Sequence, residues 1–201
     1  MRVAAFDFDG TLTRGGDSLI AFVHFCFGRR RAIWGWCTLF PFALEYLFGK
    51  IDRKGMKEAV LTRFFRGKSR NELNVLGAAF AGGGLEKYLQ PERMAVLQQH
   101  LKRGDRCVLI SASLGCYLRP WAETQGFDAV FASELAYEGD PPSATGKLQG
   151  ENCRGSEKAR LLKEWLGDSR KEITLYAYGN SDGDEAMLQI ADVPVFYGKR
   201  Q

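Results

Sequence analysis

Long unbroken hydrophobic stretches are missing from this 201-residue chain, and so are linkers: no Ser/Gly-rich or Pro-rich tract is long enough to join independent domains, and only 6 prolines are present. An array of domains is therefore not expected, and no internal repeat suggests one. Disorder is not the expectation, since hydrophobic residues make up 45% and charged residues 26% of the chain, an ordinary globular balance. A chain of this length can bury one full core and suits a single α/β domain carrying a sizeable insertion. Cysteine usage is equally uninformative as a scaffold. Cys26, Cys37, Cys107, Cys116 and Cys153 form an odd set with no C-x-x-C and no histidine at zinc spacing, so neither a disulfide framework nor a metal knuckle is expected, and a reducing cytosol fits. Charge is not concentrated either. The net charge of +4 is mildly basic, but Lys and Arg are spread along the chain, and nucleic acid is not an expected partner. The opening Met-Arg-Val-Ala-Ala-Phe-Asp reaches an acidic residue too early for the hydrophobic region of a signal peptide.

What is present alternates. Arg2 to Phe6 reads as a short buried strand ending abruptly in polar Asp-Phe-Asp-Gly-Thr. A helix over Pro91 to Lys102, with a first-turn proline and Gly104 just past its end, leads to a strand over Arg106 to Ile110 that gives way to Ser111-Ala112-Ser113. A helix over Cys116 to Gln125 precedes a strand over Phe127 to Phe131, and a helix over Ser156 to Leu166 precedes one over Glu172 to Tyr178. Strands alternating with helices predict a doubly wound, mainly parallel sheet, with sites gathered outside the carboxyl ends of the strands. Asp7 to Thr13, Ser111 to Ser113 and Gly179 to Asp184 all fall there. Two segments break the alternation. Residues 15–85 read as helices over Leu19 to Phe27, Ile33 to Phe48, Met56 to Phe65 and Leu73 to Phe80, a helical cap inserted after the first strand. Ser133 to Gly150 reads as a β-hairpin flap around Gly139-Asp140-Pro141-Pro142. The core is then 1–14 together with 86–201.

Asp7 and Asp9 stand two apart, so at the end of an extended strand both side chains point to one side, while Gly10 lets backbone N–H groups approach an anion. Paired carboxylates repel unless a cation lies between them, and a hard divalent ion with oxygen ligands suits them, with Asn180 and Asp184 offering further oxygens. A lone D-x-D often only caps a turn. Lys158 has Leu161, Leu162 and Trp165 at i+3, i+4 and i+7, which places it on the buried face of its helix, with Lys163 on the other.

The string Asp7-Phe8-Asp9-Gly10-Thr11-Leu12-Thr13 resembles the first motif of the haloacid dehalogenase (HAD) superfamily, D-x-D-G-T-[LV]-[TV]. Ser111 after a hydrophobic strand, Lys158 at a helix start and Gly179-Asn180-Ser181-Asp182-Gly183-Asp184 after another strand follow in the superfamily's order, and the insertion after the first motif resembles the phosphoserine-phosphatase-like branch. The resemblance implies a Rossmann-like HAD core and a Mg²⁺-dependent phosphatase of phosphate monoesters working through an aspartyl-phosphate. It implies Asp7 as nucleophile and Asp9 as acid and then base. Mg²⁺ would be held by Asp7, the Asp9 backbone carbonyl, Asn180 and Asp184; Gly10, Ser111, Ala112 and Lys158 would bind the phosphate. Asn180 departs from the Asp usual in this loop, which lowers the charge offered to the metal and leaves Asp182 as an alternative.

The branch's phosphoserine enzymes carry a cap glutamate nine positions after the nucleophile, where this chain has Gly16, which argues against phosphoserine. Leu19 to Phe27 and Ala32 to Leu44 are aromatic-rich stretches flanking Arg29, Arg30 and Arg31. Neither reaches the ~20 apolar residues of a bilayer span, and Pro41 and Glu45 interrupt the second. Two readings stand for these stretches: the core of the cap, with a solvated turn at the arginines, or an element lying on an anionic membrane. The pattern resembles bacterial lipid-phosphate phosphatases of the branch, such as phosphatidylglycerophosphatase C. A cytosolic phosphatase of a soluble metabolite and a non-catalytic Mg²⁺ or phosphate-binding module are the alternatives.

Overall fold

The computed structural model describes residues 1–198. Six strands form one sheet in the order β4-β3-β2-β1-β5-β6, parallel throughout except for the β3–β4 pair. The strands are β1 (Arg2–Phe6), β2 (Arg106–Leu114), β3 (Ala129–Glu138), β4 (Ser143–Gln149), β5 (Thr174–Gly179) and β6 (Val193–Phe196). Val3, Ala4, Ala5 and Phe6 of β1 are fully covered, because helices pack on both faces of a parallel sheet. Phe6 lies beside Leu109 of β2 and Tyr178 of β5, so the segments that follow these three residues are neighbours at one edge of the sheet.

Five α-helices lie between β1 and β2, namely α1 (Ser18–Thr38), α2 (Phe40–Leu47), α3 (Arg53–Phe65), α4 (Arg70–Ala79) and α5 (Pro91–Lys102), the last leading into β2. Helices α6 (Gly115–Gln125), α7 (Ser156–Leu166) and α8 (Glu185–Gln189) complete the crossovers. The mainly parallel α/β sheet, the helical insertion and the β3–β4 hairpin match the expected architecture, and the bounds of α5 and α7 match residue for residue.

The differences are instructive. β2 does not stop at Ile110 but runs through Ser111-Ala112-Ser113 to Leu114, with a register shift between Ile110 and Leu114 that the apolar pattern could not signal. The strand expected over Phe127 to Phe131 begins at Ala129 and continues into the first arm of the hairpin. β6 and α8 were not anticipated; β6 is a four-residue, largely exposed edge strand whose short apolar run is interrupted by Pro194, a residue that argues against a central strand. The helix expected over Ile33 to Phe48 is two, broken at Leu39 with Pro41 in the first turn of the second. Gly28, at φ 71°, kinks α1 just before the arginines, a conformation that side-chain-bearing residues avoid.

Candidate active site

Asp7 leaves the end of β1 with its backbone N–H bonded to the Tyr178 carbonyl, which ties the motif to β5. The turn that follows is closed by Thr11, Leu12 and Thr13 N–H groups donating to the Phe8 carbonyl. Gly10 sits at φ 77°, and a Cβ there would come within 2.3 Å of the Asn180 amide, so glycine is required for both conformation and space.

Asp7, Asp9, Ser111, Ala112, Lys158 and Asp184 line one cavity of ≈ 450 Å³ between the sheet edge and the cap. Lys158 Nζ, fully buried as the helical spacing implied, donates to Asp7 Oδ1 at 2.5 Å and to Asp184 Oδ1 at 2.6 Å. Burial works against the charged lysine, but the two carboxylates outweigh it and hold its pKa above the ordinary value. Burial raises the Asp7 carboxyl, with Asp184 adding to the effect and Lys158 opposing it. Asp184 is also penalised by burial, yet Lys158 and the N–H groups of Asn180 and Ser181 bring it below the usual carboxylate range. Two carboxylates around one ammonium leave the group net negative when all are ionised, and such a group attracts a cation.

Asp9 faces a hydroxyl network. Its carboxylate accepts from Ser18 N–H at 3.0 Å, from Ser18 Oγ at 2.9 Å and from Ser113 Oγ, and Ser18 Oγ lies 2.9 Å from Tyr117 Oη. Burial, with Asp17 as the next contributor, pushes the Asp9 pKa up to about 7. The two carboxyls two residues apart therefore have different surroundings: one faces an ammonium, the other faces hydroxyls that can donate or accept.

The remaining residues divide. The Asn180 side-chain amide lies 2.8 Å from the Asp9 carbonyl oxygen and 3.3 Å from Asp7 Oδ2. With its nitrogen inward it donates to both; with its oxygen inward three oxygens face one another, an arrangement that needs a cation between them. Hard oxygen donors around an acidic pair fit Mg²⁺. Among the described residues no three His, Cys, Asp or Glu side chains gather as a metal cage, so backbone and amide oxygens have to complete the set. Asp182 stands outside it, paired with Arg154 and, at 3.6 Å, with Arg53. Asp184 lines the same cavity, its oxygens engaged by Lys158 and the 180–181 backbone. Ser111 Oγ accepts from Ser113 N–H at 3.1 Å and lines the cavity.

Residues 4–189 match the haloacid dehalogenase-like hydrolase family. The chain belongs to that family. This HAD-like hydrolase is 33% identical over 200 residues to protein CicA of Caulobacter vibrioides, a match that covers 98% of this chain and 87% of CicA. Its fold is similar to that of a Bordetella pertussis protein of unknown function, at TM-score 0.75 and 23% identity, covering 97% of this chain and 88% of that one. It is also similar to a phosphoserine phosphatase solved as a phospho-aspartyl intermediate analogue, at TM-score 0.63 and 17% identity, covering 94% and 83%.

Several residues around the site of the hydrolase were not anticipated. Ser18 and Ser113 reach Asp9, and Lys57 and Asn152 come from α3 and the loop before α7. Asp17-Ser18 ahead of an apolar run marks a helix start, and Asp17 does cap α1 by accepting from Leu19 N–H at 2.8 Å, so Ser18 carried a local signal. Lys57 and Asn152 carried none, because only the packing of cap on core brings them to the cavity.

Proposed function

We propose that this hydrolase cleaves phosphate monoesters with Asp7 as nucleophile and Mg²⁺ as its metal, acting on a lipid phosphate at an anionic membrane surface. The observation that carries the chemistry is the division of labour between two carboxyls in one cavity: Asp7 is held against Lys158, while Asp9, raised to about 7, keeps a proton to give. An Asp7 oxygen bonds to phosphorus as the bond from phosphorus to the leaving oxygen breaks, and the Asp9 proton passes to that oxygen. Water, giving its proton to Asp9, then attacks phosphorus and frees the Asp7 carboxylate. Lys158 and Ser111 hold the non-bridging phosphate oxygens. Mg²⁺ held by Asp7, the Asp9 carbonyl and Asn180, with Asp184 steadying Lys158 and the loop, would supply charge neutralisation.

The metal is tested by chelation. Hydrolysis of p-nitrophenyl phosphate should drop at least about tenfold in chelator and return with Mg²⁺, and less well with Ca²⁺, whose looser shell places the reacting oxygens poorly. Undiminished turnover in chelator would refute the metal. The raised Asp9 pKa has its own signature: a group that must donate a proton loses that ability as pH rises through about 7. Rates on alkyl phosphates should therefore fall about tenfold per unit above that pH, while aryl phosphates with good leaving groups stay flatter. Parallel profiles for the two ester types would remove Asp9 from the acid role.

The lipid reading is supported by the cap. Phe22, Val23, Ala32 and Leu39 are buried, but Ile33, Trp34, Phe40, Phe42, Leu47 and Phe48 are exposed, Trp34 at 74% and Leu47 and Phe48 at 76%. Arg29, Arg30 and Arg31 are exposed beside them, with Glu45 the one acidic residue from 29 to 48. Apolar residues next to a basic cluster are what an interfacial element requires. No helix among the described residues is long and apolar enough to cross a membrane.

A further inference from the structure

The catalytic cavity has a second wall that the chemistry above does not use. Its cap side is made by Leu19, Ile20, Trp36, Met56, Lys57 and Val60. Of the cations that line the cavity, Lys158 is neutralised by Asp7 and Asp184, and Arg53 and Arg154 by Asp182. Lys57 differs. Among the described residues no carboxylate lies within 4 Å of its ammonium; two of its donors go to neutral oxygens, the Ala112 carbonyl and Asn152 Oδ1 at 3.0 Å. An ammonium has a third N–H, and here it has no protein acceptor. Asn152 is itself fixed, since Ser133 Oγ also donates to its Oδ1 at 3.0 Å.

Two further features mark this part of the cavity. Lys57 Nζ donates to the carbonyl of Ala112, whose neighbour Ser113 donates its hydroxyl to Asp9, and all four residues line the cavity, so the ammonium lies on the Asp9 side, where a leaving group receives its proton. Trp36, on the same wall, has its indole N–H buried without an acceptor. An orphaned donor and an uncompensated, half-buried cation are both costly unless a ligand supplies oxygens.

We propose that Lys57 is a specificity-determining residue that binds a second anionic group, carried by the leaving group beside the scissile phosphate. The inference rests on the phosphatase reading and names its substrate class: a phosphate monoester whose alcohol portion bears a carboxylate or a phosphodiester next to an apolar part. The apolar part lies on Leu19, Ile20, Met56 and Val60, and the second anion lies on Lys57.

Three esters test it: glycerol 3-phosphate with a neutral leaving group, 3-phosphoglycerate with a carboxylate, and glycerophosphoglycerol phosphate with a phosphodiester. Wild-type kcat/KM should favour one or both charged esters over glycerol 3-phosphate, and which one it favours separates carboxylate from phosphodiester. Lys57→Gln should lower the charged-to-neutral ratio about tenfold or more, and Lys57→Arg should restore much of it. A ratio unchanged in Lys57→Gln, with all three esters losing equally, would overturn the proposal and leave Lys57 as a bond tying α3 to Ala112. The same preference should appear in calorimetric titration of the Asp7→Asn variant and disappear in Asp7→Asn/Lys57→Gln. A wild-type protein that hydrolyses none of the esters would refute the phosphatase, while the titration still reads Lys57. Equal affinities, or binding of none of the three, would overturn the proposal.

Discussion

Asp7→Asn should reduce hydrolysis of p-nitrophenyl phosphate by on the order of a thousandfold or more while leaving the fold intact. The amide keeps the shape of the carboxylate but has no anionic oxygen to bond to phosphorus, so the whole double displacement is lost and not one contribution to it. Stability should not suffer. Asp7 is fully covered and its burial raises its pKa, which means the folded protein bears a cost for the charge that the amide removes. Lys158 keeps Asp184 as a partner at 2.6 Å, so the substitution does not strand a buried ammonium. The melting temperature should stay level or rise, and acid-quenched wild type given substrate should carry protein-bound phosphate that the variant lacks. Retention of more than a few per cent of the rate in a fully folded variant would remove Asp7 from the nucleophile's role.

Replacing Arg29, Arg30 and Arg31 together by Gln should weaken sedimentation with anionic liposomes by roughly two orders of magnitude. Each arginine near an anionic surface contributes about 1 kcal/mol, and about 3 kcal/mol corresponds to a little over a hundredfold in affinity. Serine at Trp34, Leu47 and Phe48 should produce a comparable loss that salt does not reproduce, since those side chains act by entering the apolar boundary and not by charge. High salt should mimic the arginine variant alone. Turnover of soluble aryl phosphate should be nearly unchanged in both, because none of the six residues lines the catalytic cavity. Wild-type protein that ignores anionic liposomes at low salt would overturn the membrane reading and favour a soluble phosphometabolite as substrate.

The two aromatic stretches show how far a pattern can be read. Both look equally apolar in sequence, yet Leu19, Phe22 and Val23 of the first pack into the core with Phe65, Phe80 and Tyr117, while most of the second is exposed. Hydropathy states that a side chain prefers to leave water; it does not say against which surface. The kink at Gly28 and the break at Leu39 turn the second stretch away from the core, and those depend on backbone conformation.

The sequence by itself determined the alternation of strands and helices, and with it the parallel sheet whose carboxyl edge gathers Asp7, Ser111 and Asp184. Local period and local motif are sufficient for that, because strand ends in a right-handed crossover fold all face one way. It also determined that Lys158 is buried, since spacing along one helix fixes which residues share its face. Only the tertiary structure decided how those groups divide their labour. The choice of Asn180 over Asp182 beside Asp7 and Asp9 depends on which side of a turn faces β1. The rise of Asp9 to about 7 depends on burial and on Asp17, the residue before Ser18, which itself donates to Asp9. Lys57 meets Ala112 across a separation of 55 residues, a contact set by how the cap closes on the core and by no pattern within either segment.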